Sequence, residues 1–387
     1  MKRIAILTFL HAYNYGAELQ CFALQYKLRL LKYKVEVIDL YRPLNKEFVK
    51  SNNYKQIFSF KDRRTLRKKI NIFIMHSLGC LFRLIYRRRS KNRKRLFYEF
   101  HEKYTNLTKQ KFYNFDSLYV ANWSLYSHFV VGSDQVWNFE NPFSPEPYFL
   151  TFAPKTAKKI SYAASLGHKI LPNIVAEKYK QWFADFDSIS LREQEGAELV
   201  SRLLKKDVEC VLDPTLLLSR QEWYDKFGLV DKNVEKYVLV YVLVHSDYSV
   251  NLAKYIASKL NLKVKLIATS IWSSYASKKG VEILYNIGPK EFVELFANAF
   301  FVVTNSFHGT AFSVNFNKPF YSTPRSKNLV NSRFTSLLNK VGLSDRLLYD
   351  GSEFPSKIIT DIDFESVNMH LEKERQHSLA YLFSALG

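Results

Sequence analysis

Residues 300–316 read Phe-Phe-Val-Val-Thr-Asn-Ser-Phe-His-Gly-Thr-Ala-Phe-Ser-Val-Asn-Phe. An apolar run at residues 300–303 ends in small polar residues, and His308 and Gly309 open a second apolar segment. This order predicts a buried strand, a tight turn and a helix whose first turn carries His308. Because the N–H groups at a helix N-terminus are unpaired, this position suits an anion such as a phosphate or a carboxylate. The alternative is a core strand–turn–helix unit in which His308 is incidental.

The size and composition of the chain favour two domains. It has 387 residues, too many for one ordinary core, and 47% are apolar, which is enough to fill two. Helix-like and strand-like segments alternate, which indicates α/β domains with parallel sheets. The sequence predicts two Rossmann-like domains, residues 1–225 and 236–387, facing a cleft as in glycosyltransferases of the B type (GT-B-like). A basic helical insertion is expected in the first domain, at about residues 44–115.

The loops that follow the predicted strands contain many polar and small residues. In an open parallel sheet, ligands bind beyond the carboxyl ends of the strands. We therefore expect these loops to line the site in the first domain. They cover residues 11–17, 132–138, 165–167, 192–193 and 213–215.

Several classes of chemistry lack their sequence patterns. There is no phosphate-binding loop of the P-loop kind, no Gly-x-Gly-x-x-Gly after the first strand and no serine nucleophile elbow. Cys21, Cys80 and Cys210 have no metal-ligand spacing, and so sparse a count suits a reducing compartment. ATP and NAD chemistry are therefore disfavoured, and we expect no metal and no cofactor. Residues 1–10 resemble a first strand more than a signal peptide, so a cytoplasmic protein is expected.

Positive charge is concentrated in one segment. Residues 63–95 hold 13 of the lysines and arginines and no acidic residue, in a chain of net charge +21. Between its basic blocks, residues 70–82 are apolar but too few to span a bilayer. This combination favours a helix in the interface of an anionic membrane. The alternatives are a solvated basic hairpin packed on its own domain and a nucleic-acid patch, and no nucleic-acid partner is expected.

Six short segments together resemble the polysaccharide pyruvyl transferase family. Their order along the chain follows that of the family, between about residues 3 and 345, and only the insertion is not covered. The resemblance implies a transferase that moves the enolpyruvyl group of phosphoenolpyruvate onto two hydroxyls of a sugar, forming a pyruvate ketal. The segments are Asn-Tyr-Gly-Ala (14–17), Gly-Ser-Asp-Gln-Val-Trp-Asn (132–138), Ser-Tyr-Ala-Ala-Ser (161–165), Ser-Leu-Arg-Glu (190–193), Val-Leu-Asp-Pro-Thr (211–215) and Thr-Asn-Ser-Phe-His-Gly (304–309).

The resemblance also implies roles for individual residues. His308 is the expected acid, protonating the donor's methylene carbon or assisting the leaving phosphate, and Asp134 is the expected base for the sugar hydroxyl. Arg192 is expected to bind an anionic group of the donor through its guanidinium fork. The further residues expected to bind substrate are Asn14, Tyr15, Gly309, Thr310 and Arg333. Alternative roles are turn capping for Asp134 and Asp213 and, for Arg192, surface pairing with Glu193 or Glu195.

One position departs from the family pattern. The common form has an arginine two positions before the histidine, and this chain has Ser306 there. A second guanidinium is then needed from elsewhere, and Arg333 or Arg325 could supply it. The acceptor is expected to be a lipid-linked sugar or a surface polysaccharide such as a capsule or exopolysaccharide. The rival functions are a glycosyltransferase that uses a nucleotide sugar and a non-enzymatic scaffold at the membrane surface.

Overall fold

A computed structural model of the chain describes residues 2–41, 91–141, 144–230, 235–268, 279–325 and 331–387. These residues form two five-stranded parallel sheets and one two-stranded parallel sheet, with helices on their faces. The two large sheets have the same strand order, in which the first strand lies at the centre and the order reverses beside it. Two Rossmann-like α/β domains, the expected fold class, are thereby confirmed.

The first large sheet has the order β3-β2-β1-β4-β5, and all of its strand pairs are parallel. The switch point, where connections leave in opposite directions, lies between β1 and β4. Its strands are β1 (Arg3–Leu7), β2 (Lys34–Leu40), β3 (Leu107–Phe112), β4 (His128–Val131) and β5 (Lys158–Ser161). The two-stranded sheet continues this domain with β6 (Ser190–Leu191) and β7 (Glu209–Cys210).

The helices of this half begin with α1, whose N-cap, Asn14, accepts hydrogen bonds from the N–H groups of Gly16 and Ala17. The seven helices described in this half cover the sheet faces or follow the last strands. They are α1 (Tyr15–Leu30), α2 (residues 91–104), α3 (Asp116–Tyr119), α4 (Asn173–Phe183), α5 (Gln194–Leu204), α6 (Pro214–Leu217) and α7 (Arg220–Phe227).

The second large sheet repeats this topology with the order β10-β9-β8-β11-β12. Its central strands are fully buried, as expected for a parallel sheet covered on both faces. The strands are β8 (Tyr237–Tyr241), β9 (Lys263–Ile267), β10 (Val281–Leu284), β11 (Phe301–Thr304) and β12 (Phe320–Ser322). The helices are α8 (Asp247–Leu260), α9 (Pro289–Asn298), α10 (Phe307–Asn315), α11 (Ser332–Lys340) and α12 (Phe364–Leu386).

The structure corrects part of the predicted insertion. Residues 107–112 were assigned to a basic helical segment, and they form β3, the edge strand that pairs with β2. Three polar side chains, at positions 109–111, are exposed between buried Thr108 and Phe112, so the segment reads as polar although its ends reach the core. Residues 91–104 are helical as expected. The rest of the insertion, including the apolar stretch at 70–82 and Cys80, lies outside the described residues.

The last helix, α12, joins the two halves. The sequence assigned it to the second domain, but its C-terminal part packs against the core of the first sheet through Leu382 and Leu386. Buried Arg375 links three segments, since its Nε donates to the carbonyl of Leu216 (2.7 Å) and its Nη2 to Oδ1 of Asn315 (2.8 Å). The amide of Asn315 in turn donates to backbone carbonyls at the end of the first half.

A second junction lies at the start of α1. The Tyr15 ring stacks on Phe292 of α9 with 4.7 Å between ring centroids, and its hydroxyl donates to the carbonyl of Ile287 (2.9 Å). Tyr15 belongs to the first domain by sequence, and its side chain lies in a core cluster that residues of both domains form. The amino end of α1 is therefore fixed against the second domain.

Removal of the Arg375 side chain should destabilise the whole protein. Arg375→Ala leaves Asn315 Oδ1 and the Leu216 carbonyl without their donors, which costs about 2 to 4 kcal/mol. Lys373→Ala, an exposed position on the same helix, is the control and should change stability little. Urea unfolding of both variants measures the difference, and equal midpoints would contradict the linking role of Arg375.

Candidate active site

Arg192 occupies the centre of a buried polar cluster at the carboxyl end of β6. Its Nη1 donates to Oδ2 of Asp213 at 2.9 Å, while its Nε lies 3.5 Å from Glu193 and its Nη2 3.7 Å from Asp134. The residue is 4% exposed. The alternative in which Arg192 pairs on the surface is therefore wrong, and Glu195 instead pairs with Lys169.

Asp213 follows β7 and uses its two carboxylate oxygens for different purposes. Oδ1 accepts from the backbone N–H and the hydroxyl of Thr215, which is the capping role expected from the sequence. Oδ2 accepts from Arg192 and from the hydroxyl of Ser133 (3.0 Å). One oxygen therefore caps α6 and the other holds the arginine.

The ionised form of Asp213 is strongly favoured. Burial alone would raise the pKa of this carboxyl, but His308 and Arg192 outweigh it and hold the pKa well below its usual range. A depressed pKa means that the carboxylate stabilises the fold above about pH 4, and that this contribution is lost as the pH falls toward the folded-state value. At neutral pH the cluster therefore contains a permanent negative charge.

His308 reaches the cluster from the other domain. It lies in the first turn of α10, whose N-cap, Ser306, accepts a hydrogen bond from the N–H of Gly309 (3.3 Å). The imidazole Nε2 is 3.6 Å from Asp213 Oδ2. The neighbouring ring of Phe307 lies 4.6 Å beneath the guanidinium of Arg192, a cation–π contact between the two domains. The strand–turn–helix expected at residues 300–316 is thus present and faces the first domain.

Gly16 provides the surface against which His308 lies. A Cβ at this position, in the first turn of α1, would overlap the imidazole ring of His308. Only glycine allows so close an approach, because any other residue places a carbon in that space. The start of α1 therefore determines where the imidazole can stand.

Arg333, at the start of α11, brings a second guanidinium to the cluster. Burial and the charge of Arg192 lower the pKa of Arg333, and Glu193, Asp134 and Asp213 oppose that effect. Like charges come this close at a cost, which a bound anion would relieve. Arg325 is elsewhere, exposed and donating to the carbonyl of His245 (2.8 Å).

Several donors in this cluster have no acceptor. Among the described residues, Nε and Nη2 of Arg192, Nε of Arg333 and Nε2 of His308 are buried without a hydrogen-bond partner. Unpaired buried donors are costly in a native fold and point to a group that binds there. The atoms come from both domains, so the cluster is a candidate site at the junction between them.

The family model for polysaccharide pyruvyl transferase matches residues 14–326, more than three quarters of the chain. The chain belongs to this family. The match begins at the N-cap of α1 and passes through every residue of the cluster except Arg333. Polysaccharide pyruvyl transferases are enzymes, which argues against the alternative of a non-enzymatic scaffold at the membrane surface.

Two solved structures resemble the chain at low identity. UDP-GlcNAc 2-epimerase from Methanocaldococcus jannaschii, in complex with UDP-GlcNAc and UDP, is 13% identical with a TM-score of 0.47, covering 97% of this chain and 94% of that chain. Arabidopsis thaliana UGT89C1 complexed with UDP-L-rhamnose is 10% identical with a TM-score of 0.49, covering 98% and 94%. No curated protein matches the sequence at a significant level.

Asp134 and Ser306, two positions singled out in the sequence, both make local hydrogen bonds in this pyruvyl transferase. Asp134 follows β4 with a left-handed φ of 73°, a conformation that aspartate tolerates better than most residues. Its Oδ1 accepts from the N–H of Gln135 (2.8 Å), as in the capping alternative, and is also 3.7 Å from Arg192. Ser306, in place of the family's arginine, is buried and engaged as the N-cap of α10.

The other predicted binding residues have structural partners in this pyruvyl transferase. Asn14 caps α1, and Tyr15 is buried between the domains. The hydroxyl of Thr310 contacts Ser322 Oγ (2.6 Å), and a Cβ on Gly309 would overlap the Thr304 side chain, so this helix approaches its strand closely. Their expected contact with substrate stays a prediction.

Two members of the site were missed as functional residues. Asp213 looked like a turn residue because it precedes a proline, and Gly16 looked like an ordinary helix start. A signal was present for both, since each lies in a segment that matches the family and in a loop beyond a predicted strand. No group of three or more metal-ligating side chains occurs in the part of the chain that the structure describes.

Gly16→Ala and His308→Ala should both strongly lower turnover. The added Cβ displaces the imidazole, and loss of a positioned acid–base group lowers the rate by about 100-fold or more. Gly196→Ala is the matched control, because it also places a Cβ in a helix, where the nearest atom is a side-chain carbon at 3.1 Å. Thermal unfolding of each variant shows whether the fold is intact, and normal turnover of a folded Gly16→Ala protein would contradict the positioning role.

Proposed function

We propose that this pyruvyl transferase uses phosphoenolpyruvate as its donor and attaches the pyruvyl group to two hydroxyls of one sugar, forming a ketal. The observation that carries the proposal is the set of unpaired donors on Arg192, Arg333 and His308 in one interdomain cluster. The acceptor belongs to a bacterial surface polysaccharide, such as a capsule or exopolysaccharide, or to its lipid-linked precursor.

The donor's charges fit two guanidinium groups. Phosphoenolpyruvate has a phosphate at one end and a carboxylate at the other, and arginine binds either group through paired N–H donors. Arg192 has two free nitrogens, and Arg333 supplies the second cation that Ser306 cannot. Three carboxylates lie near the same nitrogens and would repel an anion. Of these, Asp213 is compensated by its ion pair with Arg192 and by the N–H and hydroxyl of Thr215.

The reaction adds one proton to carbon and releases phosphate. Protonation of the methylene carbon creates oxocarbenium character at C2, and the first sugar hydroxyl bonds to C2 and loses its proton. The bond between C2 and the phosphate oxygen then breaks, the second hydroxyl bonds to C2, and its proton is transferred to the departing phosphate. One acid and one base suffice for these transfers, and no cofactor or metal is needed.

His308 is the acid in this proposal and Asp134 the base. The Nε2 of His308 makes no hydrogen bond among the described residues and lies 3.6 Å from Asp213 Oδ2, and the ring lies against Gly16. Asp134 lies 3.7 Å from Nη2 of Arg192 and is the most exposed of the three carboxylates around it, with 17% of its side chain accessible. A sugar hydroxyl entering the cleft would therefore meet Asp134 before the buried carboxylates.

Phosphoenolpyruvate should stabilise the protein, and Arg333→Gln should weaken that effect. Ligand at a hundredfold excess over its dissociation constant stabilises a fold by about 2.7 kcal/mol. Loss of a charge-assisted hydrogen bond of about 1.5 to 3 kcal/mol weakens binding roughly 10- to 100-fold. Thermal unfolding across a phosphoenolpyruvate titration measures both quantities.

Arg325→Gln is the control for this titration, because Arg325 is the other arginine that could replace Ser306 and lies apart from the cluster. Equal weakening by both variants would remove Arg333 from the donor site. Stabilisation by UDP-sugars without any response to phosphoenolpyruvate would refute the donor itself and favour the glycosyltransferase alternative.

We also propose attachment to the cytoplasmic face of an anionic membrane through the basic segment. No helix of the described residues is long and apolar enough to cross a bilayer. At the described end of the segment, residues 91–95, two arginines make contacts within the domain. Arg93 donates to the carbonyl of Tyr13 (2.9 Å), and Arg95 pairs with Glu99 (2.8 Å). The charges left for a membrane are therefore those before residue 91, which flank the apolar stretch at 70–82.

Deletion of residues 63–89 should abolish vesicle binding while sparing α2. This deletion removes nine cations, each worth about 1 kcal/mol near an anionic surface. Flotation with phosphatidylglycerol-rich vesicles should recover the intact protein at low salt and less of it as salt is added. Vesicles of pure phosphatidylcholine are the control. Equal recovery of intact and deleted protein would leave the segment without a membrane role.

A further inference from the structure

Three aromatic rings form a stacked row along the carboxyl edge of the first sheet. His11 follows β1, Tyr41 follows β2 and Tyr113 follows β3, and we call these three residues the aromatic row. The rings of His11 and Tyr41 stack with centroids 4.0 Å apart and planes 12° apart. Tyr41 and Tyr113 continue the stack at 5.0 Å and 24°.

The sheet itself sets this spacing. Neighbouring strands lie about 4.8 Å apart, which is close to the separation of the rings, and each strand contributes one ring. The N–H of Tyr41 donates to the carbonyl of Phe112 (2.8 Å), so the strand pairing extends to the edge where the row stands. The row is therefore an ordered extension of β1, β2 and β3.

The inner end of the row, His11, is held by a contact with the carboxylate of Asp39. Nε2 of His11 lies 2.6 Å from Oδ1 of Asp39, a buried residue of β2, and this contact fixes the plane of the imidazole. Burial and the nearby charge of Asp39 raise the pKa of Tyr41, so its hydroxyl stays protonated. The row thus combines apolar ring faces with polar groups along its edges.

The outer end of the row is open. Tyr113 stacks on Tyr41 through one face and is 62% exposed, and among the described residues no ring covers its other face, which is open to a ligand. Two further tyrosines near the same edge, Tyr13 and Tyr98, are 40% and 45% exposed. Exposed aromatic rings in such a cluster are characteristic of binding surfaces rather than of ordinary solvent-facing loops.

The row leads away from the candidate active site. Its first residue, His11, lies in the loop between β1 and α1, and that loop runs on to Gly16, which contacts His308. On the other side, the hydroxyl of Thr8 donates to the carbonyl of Ser133, next to Asp134. Since β1 separates β2 from β4, the row begins within about two strand spacings, roughly 10 Å, of Asp134.

We propose that the aromatic row is a second carbohydrate subsite, which binds a sugar of the acceptor chain a few units away from the one that reacts. The proposal rests on the proposed function, because that function makes the ligand an oligosaccharide or polysaccharide. A pyranose ring presents apolar C–H faces that pack on aromatic rings and hydroxyls that bond to their polar edges. His11 and Tyr41 cover each other's faces within the stack and hold Tyr113 in place, so the outer face of Tyr113 is the surface on which a sugar packs.

Calorimetric titration of the full-length protein with glucose, galactose and N-acetylglucosamine, each as the monosaccharide and the tetrasaccharide, tests this subsite. The protein should bind the tetrasaccharide of at least one series about tenfold more tightly than its monosaccharide, which corresponds to about 1.4 kcal/mol. Tyr113→Ala should remove this preference and Tyr113→Trp should keep it. Phe383→Ala, a half-exposed aromatic on α12, should change neither affinity.

The response to phosphoenolpyruvate separates this proposal from the function on which it rests. Tyr113→Ala should retain the full thermal shift with phosphoenolpyruvate, because the row does not touch the arginines. Absence of a length preference in the wild-type protein, or an unchanged preference in Tyr113→Ala, would overturn the subsite. A length preference that depends on Tyr113 in a protein that does not respond to phosphoenolpyruvate would support the subsite and refute the donor.

Discussion

The buried ion pair between Arg192 and Asp213 is the contact on which the site depends. Neither residue has appreciable exposure, so each charge would be expensive without the other. Their pairing requires β6 and β7 to end side by side, and it requires Ser133, from the loop after β4, to complete the shell of Asp213. The positions of three loops are therefore tied to one carboxylate.

This arrangement leaves the arginine only partly satisfied. Asp213 accepts from one guanidinium nitrogen, while the carboxylates nearest to the other two stand beyond hydrogen-bond range. An arginine held rigidly by one nitrogen, with the others unpaired, is pre-organised for an anion and loses little entropy on binding. His308 and Phe307 meet this arginine from the second domain, so a bound anion would contact both domains at once.

Periodicity and loop chemistry predicted much of the fold and several residues of the buried cluster. The strand–turn–helix at 300–316 was recognisable because a buried parallel strand is a continuous apolar run and its helix begins with small polar residues. Arg192 and His308 were identified because each follows a strand and matches a family segment. The pairing of Arg192 with Asp213 was not predictable, since 21 residues and a helix separate them. The edge strand β3 was missed because its central residues are polar, and the return of α12 depends on tertiary contacts alone.

The stacking of Tyr15 on Phe292 has a consequence for motion. An aromatic side chain buries about 150 to 250 Å², and at about 25 cal/mol per Å² its exposure costs several kcal/mol. Separation of the domains at the start of α1 would expose this ring and break its hydroxyl bond to Ile287. Rigid-body opening is therefore cheapest when the domains rotate about Tyr15, which makes the start of α1 a pivot. A rotation about this point would leave His308, which lies against Gly16, almost stationary.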